Sequence, residues 1–153
     1  RARAIHAAEG MIYLLDTNVV SQSSKPKPSA NILAWLRSVD DHELCISAMT
    51  VRELRYGAER ATAADHPAAA AITQGVDAVI AAYAGRILPI DEAVAAVWGR
   101  MLAERDGDEE DTALAATALV HGLTLVTANI KDVTGRGVPL LNPSRSPPKA
   151  TPV

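Results

Sequence analysis

The sequence predicts a three-layer α/β/α domain with a mostly parallel central sheet of four or five short strands. Three observations carry that expectation. Short continuous apolar runs recur along the chain, and such runs suit strands buried on both faces. Helical patterns separate them, the alternation expected of a parallel sheet with crossover helices. At 153 residues the chain is about one domain by length, large enough to bury roughly 70% of its unfolded surface without a disulfide or structural metal.

Taken in order, Ile12–Leu15 is an apolar run that stops at Asp16 and reads as the first strand. The segment Lys25–Pro28 is a loop, after which Ser29 caps a helix carrying Ile32, Leu33, Trp35 and Leu36. Leu44–Ser47 reads as the second strand. A helix follows from about Ala48 to Arg60, and an alanine-rich one from about Pro67 to Tyr83. Arg86–Ile90 is the third strand, and Asp91 caps a helix running to about Glu104. Asp111 opens a further helix that ends at Gly122, and Leu123–Val126 is the fourth strand. Val138–Leu141 is a short fifth, where Pro139 requires an edge position or a strand start. The folded unit is read as 11–142. Residues 1–10 read as a leader or a remnant ahead of a natural start at Met11, and the proline-rich 143–153 as a disordered tail.

Apolar residues make up 48% and charged residues 22% of the chain, ordinary for a globular domain and unlike a disordered, collagenous or disulfide-scaffold chain. Aromatic residues are 3%, with no Phe, which argues against a single-strand binder built on stacking platforms. A net charge of −3 weighs against coating of nucleic acid by bulk electrostatics but not against a local site acting on it. No apolar run approaches the roughly 20 residues of a membrane helix. The single Cys45 reads as a buried thiol in a reducing, cytoplasmic setting. The four histidines show no zinc-ligand spacing, and the apolar faces around Trp35 and Leu54 could bind a partner helix but are expected to pack mostly internally.

Sites in parallel sheets lie beyond the carboxyl ends of the strands, and three acids fall there. Asp16 ends the first strand, Glu53 lies in the first turns of the helix after the second, and Asp111 begins the helix leading into the fourth. Carboxylates crowded at one edge repel one another unless a cation holds them. Oxygen donors favour Mg²⁺ or Mn²⁺, and a pair of such ions can activate water and stabilise the leaving oxygen of a phosphodiester. Each acid also has a plain structural reading. Asp16 could be a strand-end turn or helix cap, Glu53 could complete a Thr50–Glu53 capping box, and Asp111 could favour its helix dipole. In the acid run Asp106–Asp111, all but Asp111 read as a solvated loop. Asp111 instead starts an apolar stripe of Leu114, Ala115, Ala118 and Leu119. After the fourth strand come Thr127, Asn129 and Asp132, with Asn129 ranked ahead of Asp132 as a fourth ligand.

Five blocks resemble the PIN-domain family and look most like VapC-type toxins of bacterial toxin–antitoxin pairs. They are 11–20 (MIYLLDTNVV), 46–57 (ISAMTVRELRYG), 111–118 (DTALAATA), 121–129 (HGLTLVTAN) and 141–143 (LNP). The resemblance implies a Mg²⁺- or Mn²⁺-dependent endoribonuclease that cuts RNA, is restrained by a cognate protein antitoxin, and forms a homodimer. It makes Asp16, Glu53 and Asp111 the metal-binding acids and puts the family's fourth position on Asn129. Thr17 and Asn18 would orient ligands at the first acid, with Thr127 and Asp132 as auxiliaries, and Arg52, Arg55, Lys25 and Lys27 are candidates for phosphate contact. Two features depart from the family: Ala128 stands where a basic residue is common, and Asp108–Glu110 replaces a more apolar approach to the third acid. The alternatives are a catalytically weak PIN-like module that binds RNA or a protein, and an aspartyl-phosphate enzyme. The second lacks its usual acid, since Asn18 stands where a second Asp is wanted.

Overall fold

The structure, a computed structural model, describes residues 10–153; of the expected leader, 1–10, residues 1–9 lie outside the described residues. The elements in chain order are β1 (Tyr13–Leu15), α1 (Thr17–Val20), α2 (Ala30–Ser38), β2 (Leu44–Ser47), α3 (Ala48–Ala63), α4 (Ala69–Ala82), β3 (Ile87–Leu88), α5 (Glu92–Glu104), α6 (Glu109–His121), β4 (Thr124–Val126), β5 (Leu140–Asn142) and β6 (Lys149–Thr151). They form one six-stranded sheet in the order β3-β2-β1-β4-β5-β6. The first five strands are parallel, and β6 runs antiparallel to β5.

The strands are short and apolar because helices cover both faces. Leu14 and Leu15 of β1 and Cys45 and Ile46 of β2 are fully buried, each leucine contributing about 1.5–3 kcal/mol by burial. On one face Leu14, Cys45, Leu88 and Leu125 pack with Val94 and Met101 of α5 and with α6. On the other, Leu15, Ile46 and Val126 pack with Val19, Ile32 and Trp35, and Trp35 meets Tyr13 edge-on with ring centroids 5.2 Å apart. Trp35 is thus internal, as expected. Burial pushes the Cys45 thiol up to about 12, so it is an inert core group. Among the described residues no helix is long and apolar enough to cross a membrane.

α6 is the central helix: Thr112–Ala118 are all buried, and its alanines let α5 and the sheet approach closely. Leu119, assigned by periodicity to the buried stripe, is 37% exposed. The helix starts two residues earlier than Asp111, because Asp108 is its N-cap and accepts the Asp111 N–H at 2.8 Å. Asp108 is therefore a capping residue and not merely part of a solvated loop.

The chain end also differs from expectation. Lys149–Thr151 pairs with β5 as a sixth strand, and Asn31 Nδ2 donates to Ser144 O at 2.8 Å. Proline-rich composition argues for disorder, but the open edge of β5 offers unpaired backbone groups that a short segment can satisfy.

α6 ends at Gly122, whose φ is +66°, the left-handed conformation usual just past a helix. A Cβ at Gly122 would meet nothing within 4 Å, so the cost of a side chain is purely conformational. Gly122→Ala is expected to lower unfolding free energy by about 1 kcal/mol, and Gly122→Asn by less, as read from urea denaturation midpoints.

Candidate active site

Strand register sets the first acid. Leu15 pairs with Val126 and Leu14 with Cys45, so the next residue, Asp16, stands level with Thr127 and Ser47 at the carboxyl edge. Asp16 is 5% exposed, and both carboxylate oxygens are engaged. Oδ1 accepts the Asn18 N–H at 2.7 Å, making Asp16 the cap of α1, and Oδ2 accepts the Thr127 hydroxyl at 2.5 Å. The capping and site readings of Asp16 are therefore compatible: the cap holds the carboxylate in place.

Ser47 caps α3 by accepting the Met49 N–H at 3.0 Å, which starts the helix directly at the sheet edge. The Thr50–Glu53 capping box is thereby displaced. Thr50 is fully buried inside the first turn with its hydroxyl 3.2 Å from that of Thr17, and Thr17 also hydrogen-bonds the Glu53 carboxyl. Thr50 and Glu53, three residues apart on a helix, share one face. Asp111 projects from the first turn of α6. Asn129 closes the set: its N–H donates to Thr127 Oγ1 at 3.1 Å, and its Nδ2 donates to Asp111 Oδ2 at 3.5 Å. Thr127 thus ties Asp16 to the loop that presents Asn129 to Asp111.

The electrostatics record crowding. Burial, then Glu110, with smaller contributions from Asp16 and Asp111, pushes the Glu53 carboxyl up to about 7 against the pull of Thr17. Burial, then Asp108, Asp16, Asp132 and Glu110, pushes Asp111 up to about 6. The acids feel one another across the gap, and a hard divalent cation is the group such a donor set fits.

The remaining candidates scatter. Asn18 is exposed, and its Oδ1 accepts from Lys25 Nζ at 3.3 Å, leaving that lysine beside the site. Arg52 pairs with Glu110. Arg55 turns to α4 and pairs with Asp77 at 2.6 Å, away from the acids, because its position on α3 faces the hairpin partner. Lys27 is exposed on its loop. Asp132 acts on Asp111 through charge and makes no side-chain hydrogen bond among the described residues, while its carbonyl accepts from Arg105 and Arg136. Glu110, Thr50 and Ser47 were not singled out by sequence; only the Thr50–Glu53 spacing hinted at one of them. Among the described residues, the one trio of His, Cys or acid side chains with ligand atoms within 4.8 Å of one another lies elsewhere, and Asp16, Glu53 and Asp111 are spaced more widely. That trio is Asp40, His42 and Glu43, on the turn entering β2 at the opposite edge of the sheet.

A family model for the PIN domain matches residues 13–131, a span that includes all four residues of this cluster. The chain belongs to the PIN domain family. It is 36% identical over 138 residues to toxin FitB of Neisseria gonorrhoeae, covering 86% of this chain and 98% of that protein. It is 31% identical over 139 residues to VapC ribonuclease Y4jK of Sinorhizobium fredii, covering 86% and 97%. Among solved structures, FitAcB from Neisseria gonorrhoeae matches with a TM-score of 0.78 at 33% identity, over 86% of this chain and 98% of that one. As in other PIN domains, the fold is three layers around a mostly parallel sheet, here of six strands where four or five were expected.

Two outcomes follow for this PIN domain. Thr127→Val leaves the buried Asp16 oxygen without a donor and is expected to cost about 1–3 kcal/mol in urea unfolding. Glu53 and Asp111 keep their protons to higher pH folded than their ordinary values of 4.5 and 3.8. The folded state then binds more protons, and stability falls as pH rises through that window toward about 7. Metal-free protein should show a Tm that drops between about pH 5 and 8, with a shallower drop in Glu53→Gln.

Proposed function

We propose that this PIN domain is the endoribonuclease toxin of a toxin–antitoxin pair, cutting RNA phosphodiesters with Mg²⁺ or Mn²⁺. The observation that carries the reading is the meeting of Asp16, Glu53, Asp111 and Asn129 at one sheet edge, with two of the acids holding protons toward neutral pH. The names of relatives support it, since toxin FitB and VapC ribonuclease Y4jK match over nearly their whole lengths.

Asp16, Glu53 and Asp111 would hold the cation, with Asn129 contributing an amide oxygen or positioning Asp111. When bound, the metal supplies a Lewis acid that activates water and neutralises the leaving oxygen. The chain's own residues do the positioning. Thr127 and the Asn18 N–H fix the two Asp16 oxygens, and Thr17 orients Glu53. Lys25, beside Asn18, and Arg52, once released from Glu110, are within the site's neighbourhood for phosphate contact. A cytoplasmic workplace goes with an RNA substrate and a lone buried thiol.

Control by a protein antitoxin has a structural counterpart. A groove of about 790 Å³ runs between α1 and the α3–α4 hairpin, lined by Leu54, Gly57, Ala71, Gly75 and Val79, with Glu53 on its wall. An inhibitor seated there would close the approach to Glu53. Leu54, expected to pack internally, belongs to this groove. The homodimer remains part of the same proposal, on the family resemblance.

Labelled RNA incubated with antitoxin-free protein should be cleaved with Mg²⁺ or Mn²⁺ and not with EDTA. Asp16→Ala and Asp111→Ala should lower the rate by about a hundredfold or more, as removal of a metal-holding group does, without changing the circular dichroism spectrum. Cleavage that survives Asp16→Ala would overturn the assignment. RNA binding without cleavage at any metal concentration would favour a non-catalytic module, a reading supported by the neutral amide of Asn129 at the fourth position.

A further inference from the structure

The acid run before α6 is not used by the metal-site reading. It lines a cleft of about 670 Å³ on the far side of α3 from the antitoxin groove. Met49 and Arg52 of α3 form one wall, Trp98 of α5 contributes an aromatic ring, and Gly107–Glu110 forms the rim. Met49 and Arg52 are three residues apart and so face the same way on α3, with Arg52 Nε 3.3 Å from Met49 Sδ. The cleft adjoins the acids, since Glu110 of its rim acts by charge on Glu53, and Asp108 and Glu110 act on Asp111.

Its chemistry selects among the parts of a nucleotide. Asp108, Glu109 and Glu110 outnumber Arg52, whose guanidinium is already paired with Glu110, so the cleft disfavours a phosphate and the part that enters is the base. A base can stack on an indole and pack on a thioether. Asp108 is committed to the Asp111 N–H and Glu110 to Arg52, whereas no cation pairs with Glu109 among the described residues. A carboxylate accepts two parallel hydrogen bonds. Guanine presents two adjacent donors on its Watson–Crick edge, N1–H and the N2 amino group, and matches it. Uracil places its single N3–H between two carbonyl oxygens, which a carboxylate repels.

We propose that this cleft is a nucleobase subsite selective for guanine, with Glu109 reading the Watson–Crick edge and Trp98 supporting the ring. The subsite rests on the nuclease reading, for it places a guanine next to the phosphate held at the acids. Trp98 is partly buried against the core with its Nε1 unpartnered among the described residues, so a bound ring meets the exposed part of the indole.

The test reads binding without cleavage. The protein is titrated with guanosine 5′-monophosphate and with uridine 5′-monophosphate while the Trp98 indole N–H resonance is followed by NMR. That resonance is assigned by its absence in Trp98→Phe. The two probes carry the same phosphate, so their difference reports the base. Guanosine 5′-monophosphate should shift the Trp98 resonance and bind at least about tenfold more tightly, the discrimination of one bidentate pair. Glu109→Gln, an exposed first-turn change that leaves the fold intact, should bring the ratio close to one. Equal affinities in the wild type, an unmoved Trp98 resonance, or a ratio unchanged in Glu109→Gln would each overturn the subsite. Because cleavage is not read, failure here leaves the nuclease assignment to its own assay, and failure of that assay leaves this result standing.

Discussion

The buried carboxylate of Asp16 is the constraint on which the rest of the structure depends. A charge 5% exposed at the end of a central strand is tolerated only if each oxygen finds a donor. Both donors are supplied by elements whose positions the fold must then fix. The Asn18 N–H exists because the chain turns directly into α1, and the Thr127 hydroxyl is level because β4 pairs with β1 in a single register. A one-residue slip of β4 would move Thr127 to the opposite face and strand Asp16 Oδ2. Placement of the Asp16 carboxylate and strand register are thus one requirement.

Helix α3 divides the carboxyl edge into two environments. One face carries Thr50, Glu53, Leu54 and Gly57 toward α1 and α4, giving an apolar groove beside the clustered acids. The other carries Met49 and Arg52 toward α5 and α6, giving a polar cleft rimmed by carboxylates. Small residues on α4 keep the first open, and the acid-rich start of α6 gives the second a negative rim. The Arg52–Glu110 pair joins the two helices at the mouth of the cleft. Exposed as it is, it contributes little to stability; its consequence is that the Arg52 guanidinium is held by Glu110 rather than free.

Much of this was legible in the chain. Apolar runs ending at Asp16, Ser47 and Val126 gave the three central strands because strands buried on both faces have no polar alternation to blur them. The acids at their ends followed from the topology. What stayed hidden depended on contacts distant in sequence. Nothing in the composition of 143–153 reveals that β5 offers an open edge, and periodicity could not tell that Asp108 caps α6, since several adjacent acids could. Arg55 and Arg52 look alike in sequence, yet one faces Asp77 of α4 and the other Glu110 of α6, a difference of helix face relative to neighbours that only the packed structure supplies.

The fourth position shows how local chemistry limits the site. A fourth carboxylate at position 129 would join three acids of which two are already pushed up to about 6 and 7. Each added negative charge would raise those values further and keep more protons in the gap near neutral pH. Asn129 contributes polar atoms without that charge, and its Nδ2 steadies Asp111 by donation. The surrounding acids, Glu110, Asp108 and Asp132, already supply negative potential at the site. A neutral amide at position 129 and an acidic approach to α6 therefore offset one another: negative charge absent at position 129 is carried by Asp108, Glu110 and Asp132 around Glu53 and Asp111.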